Sequence, residues 1–167
     1  MTTEFSNKGI EKSLQKKGIA VVRVRVGDRY VLQKMLSLRY NLGGESSGHT
    51  IFLDHNTTGD GLITTLQFLS LIKRTGKSVS KLSASTQLLP QISLNVKVRE
   101  KRPLTEMPDV QQAIREIEGS LNGNGRLVVR YSGTENMLRI MIEGEDQAAI
   151  SKTANDLAAM VKRQIGI

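Results

Sequence analysis

The stretch Leu127-Val-Val-Arg-Tyr-Ser-Gly-Thr-Glu-Asn-Met-Leu-Arg-Ile-Met-Ile142 carries the clearest structural signal in the chain. Apolar residues crowd Leu127–Val129, then return at Leu138, Ile140 and Ile142 with the period of two that a half-buried strand shows. Ser132-Gly133-Thr134 between them is turn chemistry. The spacing predicts paired strands over Arg126–Tyr131 and Met137–Glu143, with the turn held at one end of a sheet. That turn is also built for an anion. Ser132 and Thr134 offer hydroxyl donors, and Gly133 lets a ligand approach the backbone. Arg130 and Arg139 offer planar forks that match phosphate oxygens. The same residues also suit a polar hairpin turn with incidental arginines.

Working outward, residues 91–167 read strand, helix, strand, strand, helix. Ile92–Val98 has strand character, and Val110, Ile114 and Ile117 recur at helical spacing. Asn122-Gly-Asn-Gly125 is a turn. A last helix over about Asp146 to Arg163 places Ile150, Ala154, Leu157 and Val161 on one face. This half is a small α+β domain. The first half, 1–84, reads as α/β. A helix over Lys8–Lys17 stops at Gly18, and a strand follows over Ile19–Val26. Asp28 is positioned to cap a helix over Arg29–Ser37. After a loop over Gly43–His49 comes a strand over Thr50–Leu53. Asp60 then caps a helix whose stripe is Leu62, Ile63, Leu66, Leu69 and Ile72. Lys81–Pro90 has linker composition, and its core, 85–90, separates the two domains.

Composition bounds the function. The 167 residues carry no cysteine, which leaves no disulfide or thiolate metal site and suits a reducing, cytoplasmic setting. No apolar run reaches the roughly 20 residues of a membrane span, and the start lacks the pattern of a signal peptide. The net charge of +8 raises nucleic-acid binding as an alternative. The charge is uneven: residues 1–86 hold 13 Lys/Arg against 6 Asp/Glu. Single-strand binders pair such charge with stacking aromatics. This chain has three Tyr, three Phe and no Trp, so a small anionic ligand explains the charge equally well.

A second stretch, Gly43-Gly44-Glu45-Ser46-Ser47-Gly48-His49, sharpens the reading. Together with Arg130–Arg139 it resembles the α-D-phosphohexomutase family. That family's sugar loop reads Gly-Glu-x-Ser-Gly-His, and its phosphate loop reads Arg-x-Ser-Gly-Thr-Glu-Pro. Val26–Val31 and Leu53–Leu62 resemble a bacterial branch acting on hexosamine phosphate, and the similarity runs from about Ser6 onward. Asn136 departs from the family's proline.

The resemblance implies most of a third domain followed by a complete fourth domain of TATA-box-binding-protein-like fold. It implies Glu45 and Ser47 as ligands of sugar hydroxyls, and Arg130, Ser132, Gly133, Thr134 and Arg139 as the phosphate cradle. His49 becomes a candidate for proton transfer, although a histidine beside a strand also serves as a simple hydrogen-bonding residue. Arg29 becomes a cleft residue, although it also reads as a solvated arginine. The family's reaction exchanges the 6- and 1-phosphates of a hexose, here of glucosamine. It uses a phosphoserine and a magnesium ion held by an Asp-Gly-Asp-x-Asp-Arg loop. Neither motif is present here. Thr58-Gly-Asp-Gly61 offers a single carboxylate, so no cofactor or metal is expected on this chain, and the chain alone is expected to be inactive. The alternative to an enzyme portion is a binding module for sugar phosphates that works with a separate N-terminal half.

Overall fold

The computed structural model describes residues 1–167, which divide into two compact units, Met1–Leu88 and Leu89–Ile167.

The first unit is a four-stranded sheet with four helices. Its strands are β1 (Thr2–Thr3), β2 (Arg23–Val24), β3 (Leu42–Gly44) and β4 (Thr50–Phe52), in the order β2-β1-β3-β4. β1 runs parallel to both β2 and β3, while β3 and β4 form an antiparallel hairpin. The helices are α1 (Lys8–Gln15), α2 (Asp28–Leu38), α3 (Gly61–Thr75) and α4 (Val79–Ser83). The buried core is small: Val31 and Met35 of α2 against Ile51 of β4, with Met1, Val24, Leu32, Tyr40 and Leu53 around them. α2 lies close on β3 because Gly43 has no side chain. A Cβ there would strike Met35 Sδ and Val31 Cγ1.

Several expectations change in this unit. The strand expected over Ile19–Val26 shrinks to Arg23–Val24, because its partner β1 is only two residues long. Nothing in the polar pair Thr2-Thr3 announces a strand. Asp28 is not the cap of α2 but its first residue. Gly27 takes the cap position at φ +128°, a conformation open to glycine and costly for other residues. Lys81–Ser83, read as linker, belong to α4, which Ser78 caps through Lys81 N. Asp60 does cap α3, its Oδ1 accepting from Leu62 N at 2.8 Å and Ile63 N at 3.0 Å. The apolar stripe of α3 is not core: Leu62, Leu66 and Leu69 are 79%, 66% and 55% exposed.

The second unit is an antiparallel three-stranded sheet, β5 (Gln91–Lys97), β6 (Arg126–Tyr131) and β7 (Met137–Glu143), in the order β5-β7-β6. Two helices pack with it, α5 (Pro108–Leu121) and α6 (Gln147–Ile165). A 3-10 turn over Leu104–Glu106 precedes α5, a feature without a sequence signal here. Leu138, Ile140 and Ile142 of β7 meet Ile150, Ala154, Leu157, Val161 and Ile165 of α6 in one apolar core. Pro108 opens α5 at the position where its missing N–H costs nothing. Asp146 opens α6 by accepting from Ala148 N and Ala149 N.

Candidate functional site

The second unit places Arg130 and Arg139 directly opposite each other across β6 and β7. Like charges at such a cross-strand pair repel. An anion between or above them removes that cost. The turn is braced from within. Ser132 is buried, its backbone N–H donates to Met137 O at 2.8 Å, and its Oγ accepts from Glu135 N at 3.4 Å. Arg139 Nη2 reaches Ser132 Oγ at 3.4 Å and Glu135 Oε2 at 3.2 Å. The Glu135 pair is more than two-fifths exposed on both sides, so it contributes little and is readily exchanged for a stronger anion. Ser132 therefore serves the loop first, and its own O–H proton remains to be donated outward. Gly133 and Thr134 are exposed. A Cβ on Gly133 would meet nothing within 4 Å, and its φ is not left-handed. The fold does not require glycine at that position, and the open space above it is where a ligand would approach.

Sequence reasoning missed one member of this cluster. Lys101 Nζ donates to Gly133 O at 3.4 Å and adds a third cation to the loop. The run Arg99-Glu-Lys-Arg102 was the available signal. Tyr131 closes the same end of the sheet, its hydroxyl donating to Arg102 O at 2.6 Å. Burial, with Glu100 adding to it and Arg102 opposing, holds the Tyr131 hydroxyl above the ordinary tyrosine range. Asn136 uses its carbonyl, which accepts from Val98 N at 3.0 Å. A proline supplies the same carbonyl, so this backbone contact does not distinguish the two residues.

In the first unit, Glu45–His49 form the turn of the β3–β4 hairpin. It closes through Glu45 N to His49 O at 2.9 Å and Gly48 N to Glu45 O at 3.1 Å. Gly48 sits at φ +97°, which favours glycine. Glu45 is half-buried rather than free in solvent. Its Oε1 accepts from Gly27 N at 2.6 Å, at the start of α2, where the helix dipole favours a carboxylate. Its Oε2 accepts from Ser47 Oγ at 3.2 Å, and Ser47 Oγ also lies 3.0 Å from His49 Nδ1. Ser47 has one proton and gives it to Glu45, so His49 Nδ1–H must donate to Ser47. The imidazole Nε2 is left with its lone pair.

This is a base-and-orienter chain that spacing alone did not reveal. Its order is wrong for a serine nucleophile, since Ser47 lies between the carboxylate and the imidazole rather than beside the imidazole alone. It suits a proton acceptor at Nε2, with Glu45 still offering lone pairs to hydroxyl groups. Arg29, in the first turn of α2, is exposed, and its backbone N–H donates to Asp28 Oδ1 at 2.7 Å. The link from Glu45 to Gly27 brings the sugar-loop candidate to the same helix start.

No three His, Asp or Glu side chains come together in the chain. Asp60 spends Oδ1 on two backbone amides. Magnesium wants several oxygens, including one or two carboxylates, and these residues do not fit such a site. No helix is long and apolar enough to cross a membrane.

Two family descriptions match the chain. "Phosphoglucomutase/phosphomannomutase, alpha/beta/alpha domain III" matches residues 1–88, and "Phosphoglucomutase/phosphomannomutase, C-terminal domain" matches residues 94–160. The chain is 47% identical over 166 residues to a phosphoglucosamine mutase of Geobacter metallireducens, covering 99% of this chain and 37% of that protein. It is 47% identical over 161 residues to one of Desulforamulus reducens, covering 96% and 36%. The chain thus spans little more than a third of the length of these relatives. Among solved structures, an N-acetylphosphoglucosamine mutase of Aspergillus fumigatus aligns at TM-score 0.80 and 18% identity, over 97% of this chain and 38% of the other. A complex of that mutase with GlcNAc-6P and magnesium aligns at 0.76, again at 18% identity, over 96% and 40%. At that identity the likeness concerns the fold.

Proposed function

From the premise that the chain belongs to the phosphoglucomutase/phosphomannomutase family, we propose that it supplies the substrate-recognition part of a phosphoglucosamine mutase. The reaction served is the interconversion of glucosamine 6-phosphate and glucosamine 1-phosphate. The observation that carries this reading is the in-register pair Arg130–Arg139, two cations set face to face above a serine-braced turn. Near-fifty-percent identity to named phosphoglucosamine mutases supports the substrate class.

The second unit holds phosphate. Arg130, Arg139 and Lys101 supply charge, and Thr134 and Ser132 supply hydroxyl protons. The first unit reads hydroxyls. Glu45 keeps acceptor sites after binding Gly27 and Ser47, Ser47 fixes the tautomer of His49, and His49 Nε2 holds or receives a proton. Arg29 adds positive charge at the start of α2. When bound to a full family enzyme, magnesium supplies charge neutralisation during phosphoryl transfer; this chain's residues do not hold it. Phosphoryl transfer depends on a donor and on electrostatic positioning. With neither a phosphoserine loop nor an acidic loop, the chain alone gives no turnover. It works with the residues of a longer polypeptide or of a separately made N-terminal half.

The test is calorimetry with inorganic phosphate and with glucosamine 6-phosphate. Both bind weakly. Arg130→Ala weakens both by roughly tenfold or more, as loss of one charge-assisted contact predicts. Glu45→Ala weakens the sugar phosphate and spares inorganic phosphate. Unchanged phosphate affinity in Arg130→Ala would remove the basis of the assignment. Turnover of glucosamine 6-phosphate by the purified chain would show a nucleophile not accounted for.

A further inference from the structure

The first unit contains a cavity of about 650 Å³ lined by Glu4, Arg23, Arg25, Tyr30, Gln33 and Lys34. None of these residues belongs to the hairpin turn of Glu45–His49. The volume falls within the range of roughly 300–1,000 Å³ typical of small-ligand pockets. Its wall is set by sequence. Tyr30, Gln33 and Lys34 stand at i, i+3 and i+4 of α2, so one face of that helix presents all three. Val31 and Met35 turn into the core and fix the helix against the sheet.

The charges in this cavity are of two kinds. Arg23 is a fixed wall: Nε pairs with Glu11 Oε2 at 2.9 Å, and Nη1 donates to Thr3 O at 3.1 Å and Ser6 O at 2.6 Å. Arg25 and Lys34 have no carboxylate partner. The Arg25 guanidinium lies over the Tyr30 ring at 4.9 Å from its centroid, which holds its plane in place while its N–H edges stay open. Two unpaired cations on one wall repel each other and stay solvated until an anion arrives. Arg25 offers a fork and Lys34 a point charge, which together suit the several oxygens of a phosphate group. Glu4 is held beside β2 by Glu4 N to Val24 O at 3.0 Å. Its carboxylate repels a phosphate but accepts hydroxyl protons. Gln33 can give and take hydrogen bonds.

We propose that this cavity is a second ligand site, which binds a phosphate monoester of a polyhydroxy compound. The phosphate sits on Arg25 and Lys34, and the hydroxyls reach Glu4 and Gln33. The site does not depend on the phosphate loop of the second unit.

The two sites are separated by working in the Arg130→Ala chain, with inorganic phosphate and glycerol 3-phosphate as probes and backbone amide shifts as the readout. Saturable shifts at Tyr30, Gln33 and Lys34 are expected for both probes, with glycerol 3-phosphate the tighter. Arg25 and Lys34 are exposed, so Arg25→Gln with Lys34→Gln preserves the folded spectrum while weakening both probes by roughly tenfold or more. Glu4→Gln brings the two probes closer together in affinity. Absence of saturable shifts around α2, or shifts that persist unchanged in the double variant, overturns the site. Equal affinity for the two probes overturns the hydroxyl-reading role of Glu4.

Discussion

Arg130 and Arg139 oppose each other on two paired strands, and Arg126 and Glu143 do the same four residues along β6. The second pair is an attractive one, and it is buried. Arg126 Nη2 lies 3.0 Å from Glu143 Oε1, and Glu143 is fully enclosed. A buried pair is weak evidence for net stability, but removing one partner strands a charge. Arg126→Met is therefore expected to destabilise the second unit by about 3–5 kcal/mol, read as a shifted denaturant midpoint. The Arg126→Met, Glu143→Leu double variant should recover most of that loss.

Tyr131 gives a pH signature. Its hydroxyl is raised by burial above the ordinary tyrosine value of 10.0. The folded state thus prefers the protonated phenol. The stabilisation is fully present below the unfolded-state pKa and is lost as pH rises through the folded-state pKa. Tyr131→Phe should flatten the alkaline fall in stability when melting is followed above about pH 10. Ser47 yields a third residue-level test: in Ser47→Ala the proton of His49 loses its partner at Nδ1. Imidazole nitrogen shifts should then report a smaller Nδ1–H fraction.

Among the elements, α6 was legible because its sequence and its environment agree. Ile150, Ala154, Leu157 and Val161 recur on one face, Asp146 supplies the cap, and each of those four apolar residues is buried. Asp146→Ala should cost about 1 kcal/mol by loss of the cap, measured in the melting of the second unit. The β6–β7 hairpin was legible for the same reason, its alternation matching its register. α3 shows the limit of periodicity. Its stripe is helical in spacing, yet no residue of the helix is buried. Spacing reveals which face is apolar but not whether anything lies against it. β1 shows the opposite limit, since Thr2-Thr3 has no apolar signal and takes its place between β2 and β3 through backbone hydrogen bonds. Side-chain relays were also invisible. Glu45, Ser47 and His49 were each readable as candidates, but the order of their hydrogen bonds depends on the turn's geometry. Because Leu62, Leu66 and Leu69 are exposed, changing all three to Gln should shift stability by only about 0.5 kcal/mol each. The same change should reduce self-association, which sedimentation would measure.

The two units differ in how much apolar surface they bury. The second unit's core gathers thirteen buried residues into one cluster, from Val96 to Ile165. The first unit's cluster has three, Val31, Met35 and Ile51. The first unit also leaves Ile19, Leu36, Leu42, Leu62, Leu66, Leu69 and Val79 largely exposed. Hydrophobic burial is the main favourable term in folding, so stability should follow this difference. Opening free energies within one chain can range from near zero to the global value. We therefore expect native-state hydrogen exchange to separate the units. Amides of β5, β7 and α6 should exchange slowest, and those of β2, α1 and α4 fastest. Heating should give two transitions, the first without loss of the second unit's near-UV signal from Tyr131. A ligand bound by the first unit stabilises it by mass action, so glycerol 3-phosphate should raise the lower transition and leave the upper one unmoved in the Arg130→Ala chain. A single transition, with uniform protection across both units, would mean that the small core of the first unit is not its main source of stability.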